Sequence, residues 1–153
     1  AQVTEVPSTF PGYPTGWRSL QLPDVSVVST FLDAFGRPER NDTCSCERSA
    51  EPSLAQALHL ANGDTLNEKL RNASSAAARA AGSDDSFENL LDHLFKAALS
   101  RPPTEAEMAR IVPALEEAVD PASSDEERAA LRRQAIEDLY WATLTGNEFL
   151  FNH

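Results

Sequence analysis

The chain has no apolar run approaching the roughly 20 residues that a bilayer-spanning helix needs, so membrane insertion is not expected. It opens at Ala1 without a basic segment leading into an apolar stretch. No secretory leader is read there, and the sequence is expected to be a mature or excised piece. Cysteine is scarce: Cys44 and Cys46 are the only two in 153 residues, too few for a disulfide framework. Positive charge is scarce as well, with 13 Lys and Arg against 24 Asp and Glu and a net charge of −11. Such a chain is not expected to bind nucleic acid, which needs clustered cations to neutralise phosphate, nor to dock on an anionic membrane. Solubility alone accounts for the charge; a cationic partner or metal ions would be its other use. Period-two alternation of apolar and polar residues is missing throughout, which removes the usual sign of a half-buried strand.

What remains is ordinary for a globular protein: 41% hydrophobic and 24% charged residues, in a length that buries a core as one domain without staples. Two parts are expected, a strap over 1–23 and a single helical domain over 24–153. In the strap, Pro7, Pro11, Pro14 and Pro23 alternate with Gly12 and Gly16. This spacing forbids a helix and favours extended or turning backbone. Trp17 and Leu20 are the expected anchors.

The domain reads as all-α, an irregular helical bundle of about five to six helices. Asp24 or Ser26 is placed to cap a helix over Val27 to Phe35, with Val27, Val28, Phe31, Leu32 and Phe35 facing inward and Gly36 and Pro38 ending it. Pro52 opens the next helix, whose stripe is Leu54, Ala57, Leu58 and Ala61; Gly63 closes it and Asp64 caps a segment with Leu66 and Leu70 at i, i+4. Residues 72–85, rich in Ala and Ser, read as a surface linker with one or two helical turns over Ala76 to Ala81.

A longer pattern follows. Phe87, Leu90, Leu91, Leu94, Phe95, Ala98 and Leu99 form an uninterrupted core face on a helix begun by Ser83, Asp84 or Asp85 and stopped by Arg101-Pro102-Pro103. Thr104 with Glu107 is a capping box for a helix holding Met108, Ile111, Val112, Leu115 and Val119 inside, kinked at Pro113. Ser124 with Glu127 is a second such box, opening a helix from about Asp125 to Leu144. Two adjacent stripes, Leu131, Ala135, Leu139, Ala142 and Ile136, Tyr140, Thr143, place this helix at the centre. Gly146 breaks it before a short apolar tail with Phe149, Leu150 and Phe151.

Polar chemistry concentrates between Arg37 and Glu51. Cys44-Ser45-Cys46 has three readings: structural thiols in a tight loop, a strained and easily reduced disulfide, or half of a soft-metal site. Zinc needs four ligands, and only His59 and His93 offer rings besides the terminal His153; the usual zinc spacings are missing, so no metal and no cofactor is assigned. Arg37, Arg40, Glu47, Arg48 and Glu51 surround the thiols. They form either an internal network that satisfies irregular backbone or a recognition loop in which Arg37 and Arg48 grip an acidic group bidentately. His59 reads as a core-edge histidine and His93 as solvated. Catalytic triads, phosphate loops, His-Glu-x-x-His and calcium loops are absent. Asn41-Asp42-Thr43 and Asn72-Ala73-Ser74 fit the glycosylation tripeptide.

From Leu20 to Leu70 the sequence LQLPDVSVVSTFLDAFGRPERNDTCSCERSAEPSLAQALHLANGDTLNEKL, with LFKAALSRPPTEAE at Leu94 to Glu107 and EDLYWATLTGNEFLFNH at Glu137 to His153, resembles the C-terminal part of the PSD-type domain of unknown function. That domain occurs in large planctomycete proteins that often carry a cytochrome-c module. Thr145-Gly146-Asn147 departs from the family's Asn-Ser pattern. The resemblance implies no activity and no catalytic residue. It implies an exported, multidomain setting, periplasmic or at the cell envelope, where an oxidising medium favours a Cys44–Cys46 bond. The function expected is a non-catalytic docking module that binds other domains of its parent protein or an extracellular protein. The alternative is a redox-active or metal-binding enzyme part centred on Cys44 and Cys46.

Overall fold

The computed structural model describes residues 1–23, 27–29, 32, 33, 35, 56 and 64–150. The protein is all-α, with no strand among the described residues. Among the described residues the helices run in order α1 (Asp64–Arg71), α2 (Ala76–Ala81), α3 (Phe87–Leu99), α4 (Glu105–Val119) and α5 (Asp125–Thr145), and a single turn, α6 (Asn147–Leu150), follows. The chain falls into two compact units. One comprises Ala1 and Pro7–Leu66, the other Gln2–Val6 and Asn67–His153.

In the first unit the Pro- and Gly-rich stretch turns rather than coils into α-helix, as expected. Gly16 sits at φ +92°, a left-handed value natural to glycine, and its N–H donates to the Ser8 carbonyl at 2.9 Å. The ring of Trp17 lies 5.4 Å from that of Tyr13. A short 3-10 turn covers Ser19–Gln21. Leu20 is no anchor: it is 95% exposed. Val27 is buried, but Val28, expected on the same inward face, is 77% exposed, and Phe35 is exposed too. The reason is a later helix start. Ser29 accepts the Leu32 N–H on its hydroxyl at 3.3 Å and the Asp33 N–H on its carbonyl at 3.0 Å, so Val28 precedes the turn. Asp24, Ser26 and Phe31 lie outside the described residues, as does the helix read after Pro52, apart from helical Gln56.

In the second unit α5 is the hub, touching α2, α3, α4 and α6, as its two stripes anticipated. Ala135, Ile136 and Leu144 are buried, whereas Ala142 is exposed. The core gathers Leu91, Phe95 and Leu99 of α3 with Val112 of α4; Phe87, Ala98, Met108, Ile111, Leu139 and Phe149 close around them. Each large side chain buried there contributes about 1.5–3 kcal/mol of transfer free energy.

Several boundaries moved for identifiable reasons. Ser86 caps α3, its hydroxyl accepting from the Asn89 N–H at 3.4 Å. Ser83, expected as a cap, instead bonds the Asp85 carboxylate at 3.0 Å. The helix ends at Leu99, and its C-cap Ser100, just before Arg101, adopts the left-handed conformation (φ +59°). Glu107 completes the box at Thr104 as read. Glu127 donates its N–H to Ser124, but its carboxylate reaches one residue further back, accepting from the Ser123 N–H at 2.8 Å. Helix α4 continues through Pro113. Gly146 ends α5, and a Cβ there would stand 3.2 Å from the Ala142 carbonyl.

The helical turns expected over Ala76 to Ala81 are present, but the stretch is not wholly a surface linker: Ser75 and Ala77 are buried. Helix α2 spans Ala76–Ala81, and Ala77 is fully buried. Small alanines let α2 press close to α5. Ser75, itself buried, caps it by accepting from the Ala78 N–H while donating to the Leu70 carbonyl, both at 3.0 Å. Residues near the start of the chain join this layer: the Ala76 N–H donates to the Thr4 carbonyl at 2.9 Å, Lys69 Nζ to the Val6 carbonyl at 2.8 Å, and Arg79 pairs with Glu5.

Candidate functional site

Arg101 occupies the bend between α3 and α4. Pro102 and Pro103 stiffen that bend, and the guanidinium lies 5.3 Å from the Phe95 ring centre, over the core. Nη1 and Nη2 donate to the two oxygens of Glu107 at 2.9 and 2.8 Å. Nε and Nη2 donate to the two oxygens of Glu148, on α6, at 2.5 and 2.7 Å. Nη1 also reaches the Pro102 carbonyl at 3.1 Å. A guanidinium has five N–H donors in a fixed fork, and here all five are engaged.

Glu107 is held as firmly. Besides Arg101 it accepts from the Thr104 N–H at 2.7 Å and the Thr104 hydroxyl at 2.8 Å. Hydrogen bonds from Arg101, then from the Thr104 backbone, pull its carboxyl down to about 2. The bonds from Arg101 also lower Glu148, and Glu107 in turn raises the already high Arg101. The carboxyls are pushed down and the guanidinium up, so the clamp is ionised at neutral pH.

Two arginines on α5 act on backbone. Arg132 donates to the carbonyls of Ala81, Ser83 and Asp85, the last at 2.6 Å, and stacks 4.8 Å from the Phe87 ring. Arg133 pairs with Glu137 and donates to the Leu70 carbonyl at 3.0 Å. Lys69 is lowered by burial, and Tyr140 is raised by burial. In the glycosylation tripeptide at Asn72, the side-chain oxygen accepts from the Ser74 N–H and hydroxyl at 2.8 and 2.7 Å.

An open groove of about 550 Å3 runs along α4 beside the start of α3. Met108, Ala109, Val112 and Pro113 form its apolar floor, and Glu88, Glu105 and Glu116 stand at its edges. Hydrogen bonds from its own backbone N–H and from Ser86 lower Glu88. A second hollow of about 90 Å3 lies among Leu70, Arg71, Glu137 and Trp141.

The residues singled out from the sequence, Arg37, Arg40, Cys44, Cys46, Glu47, Arg48 and Glu51, lie outside the described residues, and so does His59. His93 is exposed. Among the described residues no three His, Cys, Asp or Glu side chains converge as a metal site, and no helix is long and apolar enough to cross a membrane. Arg101, Arg132 and Arg133 were not anticipated. The capping box at Thr104 was the one available signal for Arg101, since a box carboxylate beside Arg-Pro-Pro has a cation within reach.

The family model described as "PSD1: Protein of unknown function (DUF1553)" matches residues 12–115. The chain belongs to this family. No curated protein and no solved structure matches it. The PSD1 match takes in Arg101, Glu107 and most of the groove, and it stops short of Glu116 and Glu148. The clamp thus joins a PSD1 bend to a turn beyond the matched span.

Proposed function

We propose that this PSD1 chain is a non-catalytic helical interaction module of a larger exported protein, docking to other domains of its parent or to an extracellular protein. The observation that carries the reading is the saturation of Arg101. General acid–base chemistry needs groups tuned toward neutral pH; here Glu107 and Glu148 are driven down and Arg101 up, with all five guanidinium donors engaged internally. The concentrated ionic chemistry of the helical unit supports a rigid scaffold. The density of Arg37, Arg40, Glu47, Arg48 and Glu51 in the sequence supports a grip on a partner by that segment. The exported setting rests on the resemblance to multidomain PSD-type proteins.

The test is titration calorimetry of the whole chain against the neighbouring domains of its parent polypeptide. Binding that Arg48→Ala or Glu51→Ala removes, with helical circular dichroism intact, supports the reading. Unfolding of both variants makes the loop structural and removes it from docking. A reducible disulfide or stoichiometric zinc at Cys44 and Cys46, seen by intact mass, turns the reading to the redox or metal alternative.

A further inference from the structure

The groove along α4 pairs two properties that converge on one kind of occupant. Its floor is apolar and adaptable: Met108 is unbranched and polarizable, Val112 is buried beneath, and Ala109 and Pro113 are exposed. Its edges carry Glu88, Glu105 and Glu116, and among the described residues no Lys or Arg lines it. Pro113 adds a backbone feature. It has no N–H to offer the Ala109 carbonyl four residues earlier, so a main-chain acceptor of α4 is left without its helical donor at the groove. The carboxylates ask for counter-charge, the carbonyl for a donor and the floor for an apolar side chain.

We propose that this groove docks a basic amphipathic segment of a partner protein, one that sets an apolar side chain between Lys or Arg residues. Charge decides between occupants. A second copy of this chain brings a net charge of −11 and is repelled, as are nucleic acid and anionic lipid. A neutral apolar peptide would leave three glutamates at the edges without counter-charge. A basic segment satisfies edges and floor together and is steered in by the field of the acidic chain. This inference rests on the interaction-module reading and gives it a second docking surface with its own partner chemistry.

The test is fluorescence anisotropy of the intact chain with a labelled peptide bearing Leu at i and i+4 flanked by Lys, beside the same peptide with Glu for every Lys. The Lys peptide binds and the Glu peptide does not, and added salt weakens the binding. Affinity falls about tenfold or more in Ala109→Arg, which fills the groove with its own cation, and in the combined Glu88→Gln, Glu105→Gln, Glu116→Gln variant. Equal weakening by Glu68→Gln, Glu126→Gln and Asp138→Asn, acids outside the groove, reveals diffuse charge attraction and overturns the proposal. So does unchanged affinity in Ala109→Arg. If parent domains bind while the Lys peptide does not, the groove proposal falls and the module reading stands. If neither binds, both fall.

Discussion

Arg101 and Glu107 meet end-on, each Nη of the guanidinium on its own carboxylate oxygen, at 2.9 and 2.8 Å. The pair closes the bend from α3 to α4; two further donors hold Glu148 of α6 and the fifth reaches the Pro102 carbonyl. Arg101→Ala therefore lowers the melting temperature and loosens α6. Arg101→Lys fails to restore it, because an ammonium cannot bond two carboxylates in a planar fork. Thermal circular dichroism of the two variants checks this; full recovery by lysine would show that charge alone suffices.

The same pair sets an acid limit. Glu107 has an ordinary value of 4.5 and a folded value of about 2, so the unfolded chain binds its proton first. Its contribution to stability is complete above 4.5 and drains away as pH falls toward 2. Glu148, also lowered, acts in the same direction. Urea midpoints measured from pH 6 down to pH 2 should fall across that window, and the fall should be shallower in Glu107→Gln.

Ser75 ties α1 to α2 with one hydroxyl, donating to Leu70 and accepting from Ala78, in a fully buried position. Ser75→Ala removes the cap and strands the Leu70 carbonyl from that donor. A loss of about 1–2 kcal/mol is expected from denaturant unfolding.

Burial separates two leucines. Leu91 is completely inside the core, and Leu91→Ala should cost about 2–5 kcal/mol. Leu20 is 95% exposed, so Leu20→Ala should stay within about 0.5 kcal/mol of the parent chain. A large loss at Leu20 in chemical denaturation would mean that another surface covers it.

The legible part of this fold is its periodic part. Helices α3, α4 and α5 follow from seven apolar positions between Phe87 and Leu99, from the Thr104 box and from Gly146, because amphipathic spacing and caps are local signals. The turns of α2 were legible, but their burial was not, because Ala-rich sequence has no apolar stripe to display; Ala77 is covered through contact with α5, which is tertiary information. The candidate site was less legible. Arg101 read only as part of a stop signal, yet its partners stand six and 47 residues further on. Arg132 binds carbonyls of a bend that sequence does not place beside it. The groove could be seen only once Pro113 and Glu88 were known to line the same hollow.

The helical unit is discontinuous along the chain. Gln2–Val6 belongs with Asn67–His153, fastened through Thr4 to Ala76 and Val6 to Lys69, so this unit is complete only when residues 63 positions apart in sequence meet. Bringing those two residues together carries a chain-entropy cost that grows only logarithmically with their separation, by about 0.6 kcal/mol for each doubling.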